Sequence, residues 1–172
     1  VAHNVVIATG WCDRPFVPAD AAFLSSRIDQ LTPSTYRRPE QLTDGGVLVV
    51  GASATGVQLA HELKQSGRPV VLAVGGHRRL PRTYRGMDTF WWLDRLRMFD
   101  RTIDDVADVS AARREPSLQL VGRPDHATLD LETLQRMGVV LTGRLTSMYR
   151  HRVQFSGGLA TTVADAQRRM DS

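Results

Sequence analysis

Apolar residues fall along this chain in short runs separated by glycine, proline and polar stretches, and the runs alternate with segments of helical spacing. Residues 5–8 form a first run, Val-Val-Ile-Ala, closed by Thr9-Gly10, a pattern that predicts a buried strand ending in a tight turn. Residues 47–50 are a second run of β-branched character, suited to a strand covered on both faces. Val57, Ala60 and Leu63 then recur at helical spacing as far as Gly67, which stands where a helix-ending glycine belongs. A third run at 70–74 predicts the next strand. Strand, glycine turn, helix and strand make a βαβ unit of about 30 residues, whose crossover is expected to be right-handed.

The alternation continues downstream. Residues 89–97, with Phe90, Trp91, Trp92 and Leu93, and residues 129–137, stopping at Gly138, read as helices; 118–121 and 139–141 read as strands. Residues 153–155 suit a short strand and 159–170 a helix. Pro15 and Pro18 hold the chain extended, and Pro33, Pro39 and Gly45-Gly46 break the stretch 19–46 into a linker with one helical turn around 40–42. Alternating strands and helices of these lengths predict an α/β, Rossmann-type three-layer domain with a mostly parallel sheet. There is no internal repeat and no low-complexity segment.

Composition narrows the class without changing it. With 172 residues, 42% hydrophobic and 23% charged, the chain can bury a core and is neither disordered nor collagen-like. No apolar run approaches the roughly 20 residues of a membrane span, and the first residues lack the basic segment, apolar core and cleavage site of a signal peptide, so a cytoplasmic location is the default expectation. Val1 runs almost at once into a strand-like stretch, and the end at Met170-Asp171-Ser172 interrupts a helical pattern, so a piece of a longer protein is expected. The single cysteine, Cys12, excludes an intrachain disulfide or a CxxC pair and is assigned no role. The net charge of +4 is carried by arginine, with Lys64 the only lysine. The basic residues are interleaved with Asp and Glu, which argues for a solvated surface and against a nucleic-acid footprint. Arg78, Arg79 and Arg82 are the local exception.

The chemistry-bearing motif is Gly51-Ala52-Ser53-Ala54-Thr55-Gly56, a strand-to-helix turn of the form G-x-S-x-x-G. In a dinucleotide fingerprint the first glycine allows the tight turn, the small residue at 53 lets the backbone approach a pyrophosphate, and the last lets helix and strand pack closely. Free N–H groups at the helix start, with the helix dipole behind them, then face phosphate. Serine in place of the usual middle glycine is a departure. A P-loop is excluded because Val57 follows Gly56, and a nucleophile elbow because Thr55 stands where its glycine would.

Cofactor preference is read at the end of the second strand. NAD sites place Asp or Glu there to bind the ribose hydroxyls, whereas this chain has Ala73-Val74-Gly75-Gly76-His77-Arg78-Arg79. Loss of the acid and gain of guanidinium groups suit a 2′-phosphate, so Arg78, Arg79 and Arg82 are expected to contact NADPH, and neutralising the first two to weaken NADPH far more than NADH. The five histidines show no metal-ligand spacing, Asp104, Asp105 and Asp108 read as a solvated face or helix caps, and Trp91 and Trp92 as one buried ring and one at an edge.

At these residues the chain resembles the flavin-containing and Baeyer–Villiger-type monooxygenases. Asn4-Val5-Val6-Ile7-Ala8-Thr9-Gly10 with Pro15 and Pro18 is similar to that group's Ala-Thr-Gly strand, Tyr36-Arg37-Arg38-Pro39 to its linker, and Gly51 to Gly56 to its NADPH-binding turn. The histidine that usually precedes the linker tyrosine is missing from residues 31–36. The resemblance implies two interleaved nucleotide-binding domains: 1–44 as the end of an FAD domain plus linker, 45–150 as the NADPH domain, and 151–172 as the start of the return to the FAD domain. It also implies that Ala8, Thr9 and Gly10 lie near FAD, that NADPH reduces the flavin, and that reduced flavin activates O2 against a small-molecule substrate. The cofactors then carry the reaction, and no acid, base or nucleophile is named here. A non-enzymatic nucleotide-binding module and a flavin-linked reductase without oxygenation are the alternatives, and the main FAD grip would lie outside this chain.

Overall fold

The computed structural model describes residues 3–5, 15–115, 118–123 and 125–171. In chain order the elements are β1 (Val47–Val50), α1 (Ala54–Gln65), β2 (Val70–Ala73), β3 (Arg78–Arg79), β4 (Thr83–Tyr84), β5 (Met87–Asp88), α2 (Thr89–Arg95), α3 (Val109–Arg113), β6 (Leu118–Gln119), α4 (Leu131–Arg136), β7 (Val140–Thr142), β8 (Leu145–Tyr149), β9 (Arg152–Phe155) and α5 (Leu159–Asp171). Single 3-10 turns at Ala19–Phe23, Pro39–Gln41 and Ile103–Asp105 interrupt the connecting segments.

The central sheet is parallel in the order β1-β2-β7, with Val49 opposite Leu72 and Leu72 opposite Leu141. This is the α/β, Rossmann-type class with a mostly parallel main sheet that the alternation predicts. Helix α1 turns Gly56, Val57, Ala60 and Leu63 inward, one face at helical spacing, and touches both β1 and β2. Helix α4 sets Leu131 and Leu134 against α1 and β7. Val57, Ala60, Leu72, Val74 and Leu134 are fully covered, and each larger aliphatic side chain so buried stabilises the fold by about 1.5–3 kcal/mol.

Both helices stop in the same way. After α1, Gly67 takes a φ of +87°, its N–H donates to the Lys64 carbonyl and the Arg68 N–H to the Leu63 carbonyl. After α4, Gly138 at φ +85° repeats the pattern, with Gly138 donating to Gln135 and Val139 to Leu134. These paired bonds satisfy last-turn carbonyls and point the chain straight into the next strand. Arg68 also donates to the Thr43 carbonyl at 2.6 Å and the Leu42 carbonyl at 2.8 Å, tying the linker to the end of α1. Tyr36 and Leu42 of that linker pack against the core.

Several expectations shift. Residues 118–121 contribute only the two-residue β6, which pairs with β3 in a separate parallel pair rather than in the main sheet. Helix α2 ends at Arg95, short of residue 97, because Arg97 adopts a φ of +56°. Strand β8 was not predicted, and it forms an antiparallel hairpin with β9 whose register is broken by a bulge between Leu145 and Ser147. The strand expected over residues 5–8 lies outside the described residues except for Val5, which is in no strand.

Candidate nucleotide site

The turn between β1 and α1 is closed to a degree that only glycine permits. Gly51 holds a φ of +105° and its N–H donates to the Ala73 carbonyl at 3.0 Å, extending the β1–β2 ladder into the turn. A Cβ on Gly56 would stand 1.8 Å from the Gly51 carbonyl oxygen, so strand end and helix start are in direct backbone contact. Ser53 precedes α1 in extended conformation and its side chain makes no cap hydrogen bond, which leaves the first helical amides to an external acceptor.

Sequence reasoning missed what braces this turn. Gln119, 3% exposed on β6, donates its Nε2 to the Ala52 carbonyl at 2.7 Å. A trans peptide is planar with its C=O and N–H opposed, so this bond turns the Ser53 N–H away from Gln119. Its Oε1 is buried without a partner among the described residues. Only its place inside a short, otherwise apolar run, 118–121, marked Gln119 in the sequence, and that signal is weak.

A cavity of about 450 Å³ opens at the carboxyl ends of the parallel strands, lined by Val50, Gly51, Ala52 and Ser53 from the turn, Ala73, Gly75 and Gly76 from the exit of β2, Phe16, and Arg144 and Leu145. Open α/β sheets hold ligands in this position. Arg144 was not among the residues singled out from sequence. Another depression, of about 460 Å³ at Arg37, Arg38, Glu40 and Gln41, lies on the linker, lined by none of the glycine-turn residues and by no strand residue.

The three arginines expected at the site do not line this cavity. Arg78 pairs with Glu115 at 3.3 Å, Arg79 with Asp130 at 2.7 Å and Arg82 with Asp88 at 2.6 Å. Arg79 also donates to Gln167, and Arg82 lies over the Phe90 ring. Asp130 is at once the cap of α4, accepting from the Thr133 N–H, and the partner of Arg79. Gly51, Ala52 and Ser53 line the cavity, while Ala54, Thr55 and Gly56 continue the turn as the first residues of α1. Ala8, Thr9 and Gly10, like Cys12, lie outside the described residues.

The other groups have structural roles. Trp92 donates to the Tyr84 carbonyl at 2.9 Å and meets Trp91 edge to face. Asp108 caps α3, and hydrogen bonds from the Thr102 N–H and hydroxyl hold the Asp105 carboxyl below its ordinary range. Burial, then the nearby Arg123 charge, lower the His61 imidazole from its usual value. Among the described residues no cluster of three metal-ligating side chains occurs, and no helix is long and apolar enough to cross a membrane.

Fold and turn together define an α/β unit of Rossmann type. Over 97 residues, 56% of this chain, it is 42% identical to a protein of Geobacillus kaustophilus (strain HTA426) named as an uncharacterized oxidoreductase CzcO-like, of which the match spans 28%. It is 37% identical over 93 residues to the oxidoreductase CzcO of Bacillus subtilis (strain 168), covering 54% of this chain and 27% of that one. It is 36% identical over 74 residues, 41% of this chain and 14% of the relative, to the flavin-containing monooxygenase iboF of Amanita muscaria (strain Koide BX008). The chain is similar to these oxidoreductases over the matched stretch, which spans little more than a quarter of the CzcO relatives. No protein-family model and no solved structure matches it.

Proposed function

We propose that this chain is the NADPH-binding part of an FAD-dependent oxidoreductase of monooxygenase type, with residues 45–150 as the nucleotide domain between segments of an FAD domain at 1–44 and 151–172. The observation that carries this reading is the cavity shared by the glycine turn and the exit of β2, where no carboxylate stands among the described residues. The names of the relatives support the oxidoreductase half.

In this reading the amides of Ser53, Ala54 and Thr55 bind the pyrophosphate, helped by the α1 dipole, and Gly51 and Gly56 let the backbone come close enough to do so. Gln119 keeps the Ala52–Ser53 peptide in the receiving orientation. Arg78, Arg79 and Arg82 supply a positive flank beyond β2, tempered by their carboxylate partners. Ala8, Thr9 and Gly10 are assigned to the flavin side on resemblance. When bound, NADPH supplies hydride to FAD, and reduced FAD supplies the reactivity towards O2 that oxygenates a small molecule; the protein orients both and keeps water away.

The test is a titration of the chain with NADPH, followed by quenching of its tryptophan emission. Saturable binding that is lost in Ser53→Pro, which removes a pyrophosphate-facing N–H, is expected, and no saturation overturns the reading. For the whole protein, NADPH oxidation coupled to oxygen incorporation supports the monooxygenase. NADPH oxidation without incorporation across a substrate panel makes it a reductase.

A further inference from the structure

The geometry points to Arg144, not the arginines that follow β2, as the residue that selects a 2′-phosphorylated nucleotide. The inference rests on the nucleotide reading of the cavity given above. In dinucleotide sites the adenosine ribose meets the end of the second strand, where NAD-binding proteins place a carboxylate on its hydroxyls. Here that place is Gly75, which has no side chain to offer.

Another residue's cation lies in ordinary contact with the place a side chain would enter. Measured from where a Cβ on Gly75 would stand, the Arg144 Nε is 3.6 Å away and its Nη2 3.8 Å. The guanidinium thus sits beside the position that holds a carboxylate in NAD sites, on the wall of the same cavity as Ser53. A phosphate on the ribose would meet a planar fork of donors, suited to bidentate charge-assisted bonds.

Two features set Arg144 apart from Arg78, Arg79 and Arg82. Its backbone is fixed: its N–H donates to the Ser156 hydroxyl at 3.1 Å and its carbonyl accepts from the Ser156 N–H at 2.8 Å. Gly143 presses on the same backbone, since a Cβ there would lie 2.0 Å from the Ser156 carbonyl oxygen. Its guanidinium, by contrast, has no carboxylate partner among the described residues, whereas each of the other three is in an ion pair. A phosphate reaching the Arg144 guanidinium breaks no ion pair among the described residues.

Calorimetric dissociation constants of the chain for NADP+, NAD+ and adenosine 2′,5′-bisphosphate decide the matter. Arg144→Gln is expected to weaken NADP+ and the bisphosphate about 10- to 100-fold and NAD+ less than about threefold, with Arg144→Lys between. Arg78→Gln combined with Arg79→Gln should move the NADP+ constant less than about threefold. Gly75→Asp is sterically allowed, because the added Cβ makes only ordinary contacts, and should reverse the preference towards NAD+. Melting curves matching the parent chain accompany each variant, the Arg144 side chain being exposed and without an ion-pair partner among the described residues. Equal loss of NADP+ and NAD+ in Arg144→Gln would place the residue on the pyrophosphate and overturn the inference. So would an unchanged NADP+ constant, or a loss carried by the Arg78 and Arg79 pair. If the unaltered chain binds none of the three probes, the nucleotide reading falls and this inference with it; if it binds NADP+ and only the Arg144 variants are silent, the nucleotide reading stands alone.

Discussion

The unit formed by β1, α1, β2, α4 and β7 and the excursion of the chain between β3 and α3 treat apolar residues in opposite ways. In the first, Val57, Ala60, Leu72 and Leu134 have no exposed surface. In the second, Phe90, Leu96, Phe99 and Ile103 are 46%, 68%, 56% and 61% exposed. The difference is one of reach. The first region is closed by parallel pairing between distant residues, such as Leu72 with Leu141, which brings helices over a sheet. The second is held by short-range devices: the Asp88 cap on α2, the Thr102–Asp105 capping box, stacking of Phe90 on Phe99, and cations over aromatic rings. Local devices fix a conformation without removing much apolar surface from water, so the excursion should open at lower free energy than the sheet.

The largest expected effect tests the closed region at its tightest point. Gly56→Ala cannot keep the turn, because its Cβ would overlap the Gly51 carbonyl, and a loss above about 3 kcal/mol in urea denaturation is expected together with loss of NADPH binding. A loss below about 1 kcal/mol would mean that the turn is looser than described. Leu134→Ala should cost about 3 kcal/mol, whereas Leu96→Ala should stay within about 0.5 kcal/mol. Equal costs would erase the distinction between the two regions.

Gln119→Leu bears on the link between them, since β6 belongs to the excursion side yet braces the glycine turn. It should cost about 1–2 kcal/mol and weaken NADP+ and NAD+ alike, unlike changes at Arg144. The smallest effect is that of pH at His61. Its imidazole is depressed in the folded state, so its contribution is complete above the unfolded value of 6.5 and is lost as pH falls from there through the folded value. His61→Gln should therefore flatten thermal stability against pH below 6.5, and an unchanged slope would assign the acid sensitivity elsewhere.

Most of the sheet was legible in the sequence because its signals are local and agree with one another. The run 47–50, the glycine turn, Gly67 and Gly138 each state one backbone requirement that the fold obeys. Strand β8 was not legible. Its bulge breaks the alternation of Leu145 and Met148, and its turn at Arg150, with φ +53°, uses no glycine or asparagine. The partners of the candidate arginines were not legible either. Residues 78 and 79 read as free cations until Glu115 and Asp130 are brought to them from distant segments, while Arg144 gave no local hint of lying over Gly75.

The twin glycine closures at Gly67 and Gly138 give the molecule two ends with separate duties. They sit where helices hand over to strands, opposite the end where the strands open into the cavity, and they adjoin each other through Lys64, whose Nζ would be 3.4 Å from a Cβ on Gly138. Substitutions in 66–69 or 137–139 can therefore be screened for thermal robustness as a face of their own, leaving the residues that line the cavity on the opposite rim unaltered.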